Sequence, residues 1–269
     1  MRLRGILPVL PVLVCGLATG AFGQSVNTVE TGAPVERIIA TADGALVEAG
    51  GDLFALAACD TGSRLCLTPS ARPAEAQAAP EGALPDGRIA PPTTGDIRQA
   101  WYGRPTTRYA HGVLGDAIEA GSLAAVTASG EQLEIVLPAE QVFEDITPRI
   151  ADLDGDGTNE VITIRASKTG GAAVAIFGLA DGKLALRGAG SENGQTNRWL
   201  NIAGFLPRDD GGLTLYGVRT PHIGGRLFSL DLRDGALSER NDIAIDVSNH
   251  IIGSRELGMS AVGEFDGRI

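Results

Sequence analysis

Two short landmarks recur in this chain at nearly one spacing, and that periodicity narrows the possible folds more than composition does. Asp181-Gly182-Lys183-Leu184 returns as Asp234-Gly235-Ala236-Leu237, an offset of 53 residues. Asn197-Arg198-Trp199-Leu200 returns as Asn249-His250-Ile251-Ile252, an offset of 52. Ile150-Ala151-Asp152-Leu153-Asp154-Gly155 has weaker echoes at Ile202-Ala203-Gly204-Phe205 and, 60 residues further on, at Val262-Gly263-Glu264-Phe265-Asp266-Gly267. A repeat of this length is one supersecondary unit that can bury its apolar face only against its neighbours. Short β-type runs fill the units, at 123–127, 133–137, 160–165, 173–177, 183–186, 213–218, 227–232 and 243–247. Gly-rich or Asp-Gly turns part several of them, and about four runs per unit is the content of one propeller blade. The expected class is all-β, a β-propeller of four-stranded blades. The sequence stops at Asp266-Gly267-Arg268-Ile269, the opening of a further repeat, so the propeller is expected to be truncated at the C-terminus, its last blade cut off. The best helical candidate after the N-terminal segment, 96–102, is short.

The first 23 residues read as an export signal: Arg2 and Arg4, an apolar stretch over 6–17, then small residues. That stretch is too short for a comfortable membrane span. Val14 before Cys15 argues against a lipoprotein, where a small residue normally precedes the cysteine. With Cys15 removed, Cys59 and Cys66 remain, an even pair in an oxidising compartment and a disulfide candidate. Residues 24–67 read as an N-terminal β-meander, with runs at 35–39, 45–47 and 53–56 and a turn at Asp43-Gly44. Residues 68–100 read as a Pro/Ala-rich, partly disordered connection, and residues 101–269 as the propeller blades. The expected location is periplasmic or extracellular, with no transmembrane segment.

The strongest chemical motif is Asp152-Leu153-Asp154-Gly155-Asp156-Gly157-Thr158-Asn159-Glu160. Acids at positions 1, 3, 5 and 9, with glycines between them, give a tight loop of converging carboxylates. Hard oxygen donors at this spacing suit Ca²⁺, with the carbonyl of Thr158 at position 7. Position 12 is Thr163 where an EF-hand needs a bidentate Glu, and β-type residues flank the loop, so this is no EF-hand. The plainer reading, a solvated Asp-Gly turn, leaves four carboxylates repelling one another. The role expected for the ion is structural. This loop, running straight into a β-segment, resembles the FG-GAP/VCBS-type repeat of integrin-α-like β-propellers. His111-Gly112-Val113-Leu114-Gly115-Asp116, Asn197-Arg198-Trp199-Leu200 and Thr220-Pro221-His222-Ile223-Gly224-Gly225 are similar to an uncharacterised bacterial subgroup of that family. The resemblance covers about residues 101–269 and, weakly, 35–67. It implies Asp152, Asp154, Asp156, Thr158 and Glu160 as calcium ligands and does not extend to the other two repeats. Gly204 and Leu206 stand at the first two acidic positions of one, and Arg268 at the third of the other.

With Lys+Arg at 22 against Asp+Glu at 33, the formal net charge of −11 argues against a nucleic-acid partner. His111, His222 and His250 could join Arg219 in a loop-face site, but a local hydrogen bond to a neighbouring turn is the favoured reading of each. Trp101, Tyr102 and Trp199 read as core or blade-interface fillers rather than a sugar-stacking surface. Asp209-Asp210-Gly211-Gly212 reads as a hairpin turn. No Gly-x-Ser-x-Gly motif, P-loop or dinucleotide fingerprint occurs. The leading expectation is therefore an exported, calcium-stabilised binding or scaffold module for a protein or glycan partner on its loop face. The alternative is a propeller hydrolase or lyase acting on a polysaccharide or phosphate ester through a His/Arg/acid site.

Overall fold

A computed structural model describes residues 28–41, 44–59, 65–71, 79–91 and 93–263. The expected export signal, Cys15, the Asp43 turn position and the final repeat at Glu264 and Asp266 lie outside them. The fold is all-β, in three antiparallel sheets. The first is a meander of β1 (Val35–Thr41), β2 (Gly44–Ala49), β3 (Asp52–Ala58) and β4 (Leu65–Pro69). Cys59 and Cys66 are joined by a disulfide beside the β3–β4 pair.

The central sheet has eight strands: β5 (Ile97–Thr106), β6 (Glu119–Thr127), β7 (Gln132–Val136), β8 (Gln141–Phe143), β9 (Arg149–Ala151), β10 (Glu160–Ser167), β11 (Gly171–Ala180) and β12 (Lys183–Ala189). The third is a meander of β13 (Leu200–Pro207), β14 (Leu213–Arg219), β15 (Arg226–Arg233) and β16 (Ala236–Ile245). Strands β9 to β12 and β13 to β16 are thus two successive four-stranded meanders, as the spacing of the landmarks requires. The central sheet departs from separate four-stranded blades. Strand β8 pairs Phe143 with Ala120 of β6 on one side and with Arg165 of β10 on the other, so both halves fuse into one sheet.

The repeated Asp-Gly landmarks are hairpin turns. Asp181 and Gly182 (φ 50° and 72°) close β11–β12, and Asp234 and Gly235 (φ 50° and 73°) close β15–β16. Positive φ at both central residues is what the two-residue turn of a right-twisted hairpin demands. The short segment at 96–102, the best helical candidate in an otherwise all-β reading, is strand β5: its helix-forming Arg98, Gln99 and Ala100 are overridden by pairing with β6 along nearly the full strand. One sequence expectation is corrected. The run at 243–247 is shifted, because the strand starts directly after the Asp234-Gly235 turn and ends at Ile245.

Strands β10 and β11 are buried on both faces, which explains their continuous apolar runs. Alternate residues serve two clusters. Ile162, Ile164, Val174 and Ile176 join Leu200, Leu215, Phe228 and Leu230 of the third sheet. Val161 and Phe177 join Ile97, Tyr102, Leu123 and Phe143 on the other face. Residues 79–91, within the Pro/Ala-rich span, lie along β5: the amides of Leu84 and Ala90 donate to the carbonyls of Tyr102 and Ala100, at 2.9 and 2.8 Å. Trp101, Tyr102 and Trp199 are buried, at 7%, 0% and 2% exposure, as core fillers must be.

Candidate metal centre

The acidic loop is the head of the β9–β10 hairpin, closed by the Ala151–Glu160 pair. Gly155 and Gly157 sit at φ 80° and 87°, which turns the backbone back twice within the loop. A side chain at Gly155 would also strike the next sheet: its Cβ would lie 2.9 Å from the backbone of Gly211 and Gly212. Those residues are the tip of the β13–β14 hairpin, closed by the Pro207–Leu213 pair. The Leu213 amide donates to the Leu153 carbonyl at 2.9 Å, so the acidic loop is docked on the third sheet.

Inside the loop, one carboxylate oxygen each from Asp152, Asp154 and Asp156 lie within 4.8 Å of one another. Oxygens bound at about 2.3–2.6 Å to one Ca²⁺ can be at most about 5 Å apart, so the three fit a single ion. Backbone amides orient them. Gly155 and Gly157 donate to Asp152 at 2.8 and 2.9 Å, and Asp156 donates to Asp154 at 3.4 Å. Thr158 donates to Asp156 from its amide and its hydroxyl, at 2.7 and 2.6 Å, and these bonds hold the Asp156 carboxyl below its usual range. Glu160 stands apart from the triad. It is buried, its Oε2 accepts from the Leu153 amide at 2.9 Å, and burial together with the three aspartates pushes its carboxyl up to about 7. Thr158 is exposed at the loop's outer edge.

A second constellation lies at the other end of the third sheet. Strand β14 runs from the acidic loop at Leu213 to Arg219, about 20 Å at strand rise. Beyond it, His222 and His250 pack on Trp199, and His111 meets Glu144, whose carbonyl the indole binds. His222, in the β14–β15 loop, stacks on the indole with ring centroids 6.0 Å apart and planes 4° from parallel. His250, just after β16, lies 4.7 Å from the same ring. His222 Nε2 and His250 Nδ1 are 2.8 Å apart, and His250 Nε2 donates to the Ser254 carbonyl at 2.9 Å. His111 Nδ1 lies 2.5 Å from Glu144 Oε1, and the Trp199 indole N–H donates to the Glu144 carbonyl at 3.0 Å. Burial lowers the pKa of each histidine and raises that of Glu144. A charge on His111 adds to the lowering at His222. Glu119, buried at the start of β6, is pushed up to about 10 by desolvation and then by the charges of Glu144 and Asp116.

Arg219 is not part of this group. It bonds Glu239, Asn193 and Asn241 and lies over the Phe228 ring. The expected local bond is present for His250, whose partner is four residues away, but His222 and His111 are bound across the fold. Glu119 and Glu144 are not among the residues that motif and spacing single out. Their one signal in the sequence is an acid set against apolar neighbours, within Ile118-Glu119-Ala120 and directly after Val142-Phe143. No helix among the described residues is long and apolar enough to cross a membrane. Set against known proteins, the chain matches no family model and no curated protein.

Proposed function

We propose that this chain is an exported binding module of the FG-GAP/VCBS-like β-propeller type, stabilised by one Ca²⁺ and offering its loops to a protein or glycan partner. One observation carries the reading: three aspartates converge in a hairpin head wedged against the next sheet. An ion there would neutralise the triad and fix the seam between two meanders, a structural role. Asp152, Asp154 and Asp156 would hold it, with Thr158 and Glu160 as the remaining candidates from the loop. The disulfide fits an oxidising compartment.

The test is a thermal melt in EGTA and then in millimolar Ca²⁺, with Mg²⁺ as control. Ligand at a hundredfold excess over its Kd stabilises by about 2.7 kcal/mol, roughly 5 °C for a chain of this size. A Ca²⁺-specific rise that Asp154→Ala abolishes is the expected result. A cooperative melt indifferent to Ca²⁺ removes the ion from the account.

The linked contacts of His111, Glu144, His222 and His250 favour a second reading, an enzyme acting on a polysaccharide or phosphate ester. Turnover of such substrates that His222→Gln removes and Asp154→Ala spares would establish it.

A further inference from the structure

The β8–β9 loop, the 79–91 segment beside β5 and the tail at 255–258 leave a cavity of about 190 Å³ between them. An enclosed volume of about 150 Å³ holds one benzene, so there is room here for a single six-membered ring. Ile146 and Pro148 are buried and Leu257 is half-buried, which makes one part of the wall apolar. The rest is dominated by cations. Three guanidinium groups, of Arg88, Arg149 and Arg255, line a space that has one acid, Glu256, in a chain whose net charge is −11.

Glu256 is committed elsewhere: Oε1 accepts from the Gly258 amide at 2.7 Å, and Oε2 lies 3.8 Å from Arg37 of β1. Arg255 is occupied as well, by Asp116 and by the carbonyls of Leu114 and Pro85. Arg149 is held in place but not used up. Its Nη1 donates to Asp145, whose buried carboxylate also accepts from the Tyr102 hydroxyl and the Ile146 amide. Its Nε and Nη2 have no hydrogen-bond partner among the described residues. Arg88 is exposed, and its side chain has neither hydrogen bond nor ion pair among those residues; its amide donates to the Ile146 carbonyl at 3.2 Å. The Thr147 hydroxyl is likewise without a partner among them. A guanidinium offers five N–H donors in a planar fork that matches a carboxylate, so two such groups with donors to spare describe an acceptor that is anionic and flat.

We propose that this cavity binds a carboxylate carried on a single ring, of the sugar-acid (hexuronate) class. Arg88 and Arg149 take the carboxylate, the ring covers Ile146, Pro148 and Leu257, and Thr147 meets a ring hydroxyl. A bare oxyanion would satisfy the arginines and leave the apolar wall wet. A neutral sugar would cover the wall and leave the forks unused. The inference supplies the ligand class for the partner-binding reading and rests on it. The site also borders the first sheet, because the Gly258 carbonyl in its wall accepts from the Ile38 amide of β1.

The experiment titrates the whole chain, in excess Ca²⁺, with galacturonate and glucuronate, and in parallel with galactose, glucose, acetate and inorganic phosphate. Affinity is read by calorimetry, and hydrogen exchange at saturating ligand places the site. The expected result is one equivalent of at least one uronate bound with a Kd of about 1 mM or tighter. The neutral sugars, acetate and phosphate each bind at least about tenfold more weakly, and exchange slows in 146–149 and 255–258. Arg88→Gln loses about tenfold or more, the worth of a hydrogen bond to a charged group, with its melt matched to the parent. Arg149 is kept, because its removal would strand the buried Asp145 carboxylate. No saturable uronate binding below about 10 mM would overturn the proposal. So would a control ligand that binds as tightly as the uronates, slowed exchange confined to other segments, or an affinity that Arg88→Gln does not move. Failure here beside a Ca²⁺-dependent melt leaves the binding module standing with another ligand. A melt indifferent to Ca²⁺ beside uronate binding leaves this site standing without the ion.

Discussion

Glu119 shows how a single buried acid sets the response of the fold to pH. Its carboxyl is 1% exposed at the start of β6, with Glu144, Asp116 and Asp145 opposing its ionisation and Arg255 favouring it. Arg255 is itself paired with Asp116 at 3.0 Å, so little of its charge is left to spare. The carboxyl is pushed from 4.5 up to about 10, so the native chain keeps a proton that the unfolded chain has released at neutral pH. The folded state then binds more protons, and its stability falls as pH rises from about 4.5 towards 10. Glu119→Gln keeps the shape and has no proton to lose. It is expected to melt several degrees above the parent at pH 8 and to converge with it near pH 4.5, as thermal melts across pH 4–9 will show. A variant that follows the parent at every pH would mean that Glu119 is ionised and stabilised in the fold.

Among elements, the two Asp-Gly hairpins are the parts most plainly written in the sequence, because a two-residue turn depends on its own residues alone. Gly235 sits at φ 73°, and a Cβ there would meet nothing within 4 Å. Gly235→Ala therefore tests backbone conformation without a steric contribution. It is expected to lower stability by about 1–2 kcal/mol, seen as an earlier urea midpoint with unchanged slope. At Gly217 a Cβ would stand 2.6 Å from the Phe228 ring, so Gly217→Ala is expected to cost more than Gly235→Ala, the added loss coming from displaced core rather than from the turn. The acidic loop is legible for the same reason as the hairpins: its triad lies within five residues. What stays hidden is whatever depends on distant partners. The three-residue strands β8 and β9 carry no pattern of their own, and β5 looks helical until β6 is laid beside it. The histidine cluster draws on segments from His111 to His250, so no spacing in the sequence announces it. Arg219, which lies three residues from His222 in the chain, has its partners elsewhere.

Across the whole molecule, the three sheets are not equally bound to one another. The second and third share a continuous core, whereas none of the hydrophobic clusters among the described residues contains a residue of β1–β4. The first sheet is held to the rest by polar ties: the Ile38 amide donates to the Gly258 carbonyl, and Arg37 lies 3.8 Å from Glu256 while also bonding Glu48. A long, half-exposed ion pair of this kind contributes little, about 0–1 kcal/mol. A four-stranded sheet with few such ties must carry most of its own stability, and its covalent reinforcement is Cys59–Cys66, seven positions apart in sequence. Closing so short a loop restricts the unfolded chain by about 2.5 kcal/mol in the entropic account. Reduction should therefore open the first sheet as a separate cooperative unit. Hydrogen exchange followed by mass spectrometry, with and without reductant, is expected to show protection falling at least tenfold across β1–β4 while β10, β11 and β13–β15 keep theirs. Loss spread evenly over all three sheets would instead mean that the ties at Arg37 and Ile38 weld the molecule into one folding unit. Unchanged protection in β1–β4 would mean that the meander stands without its bridge.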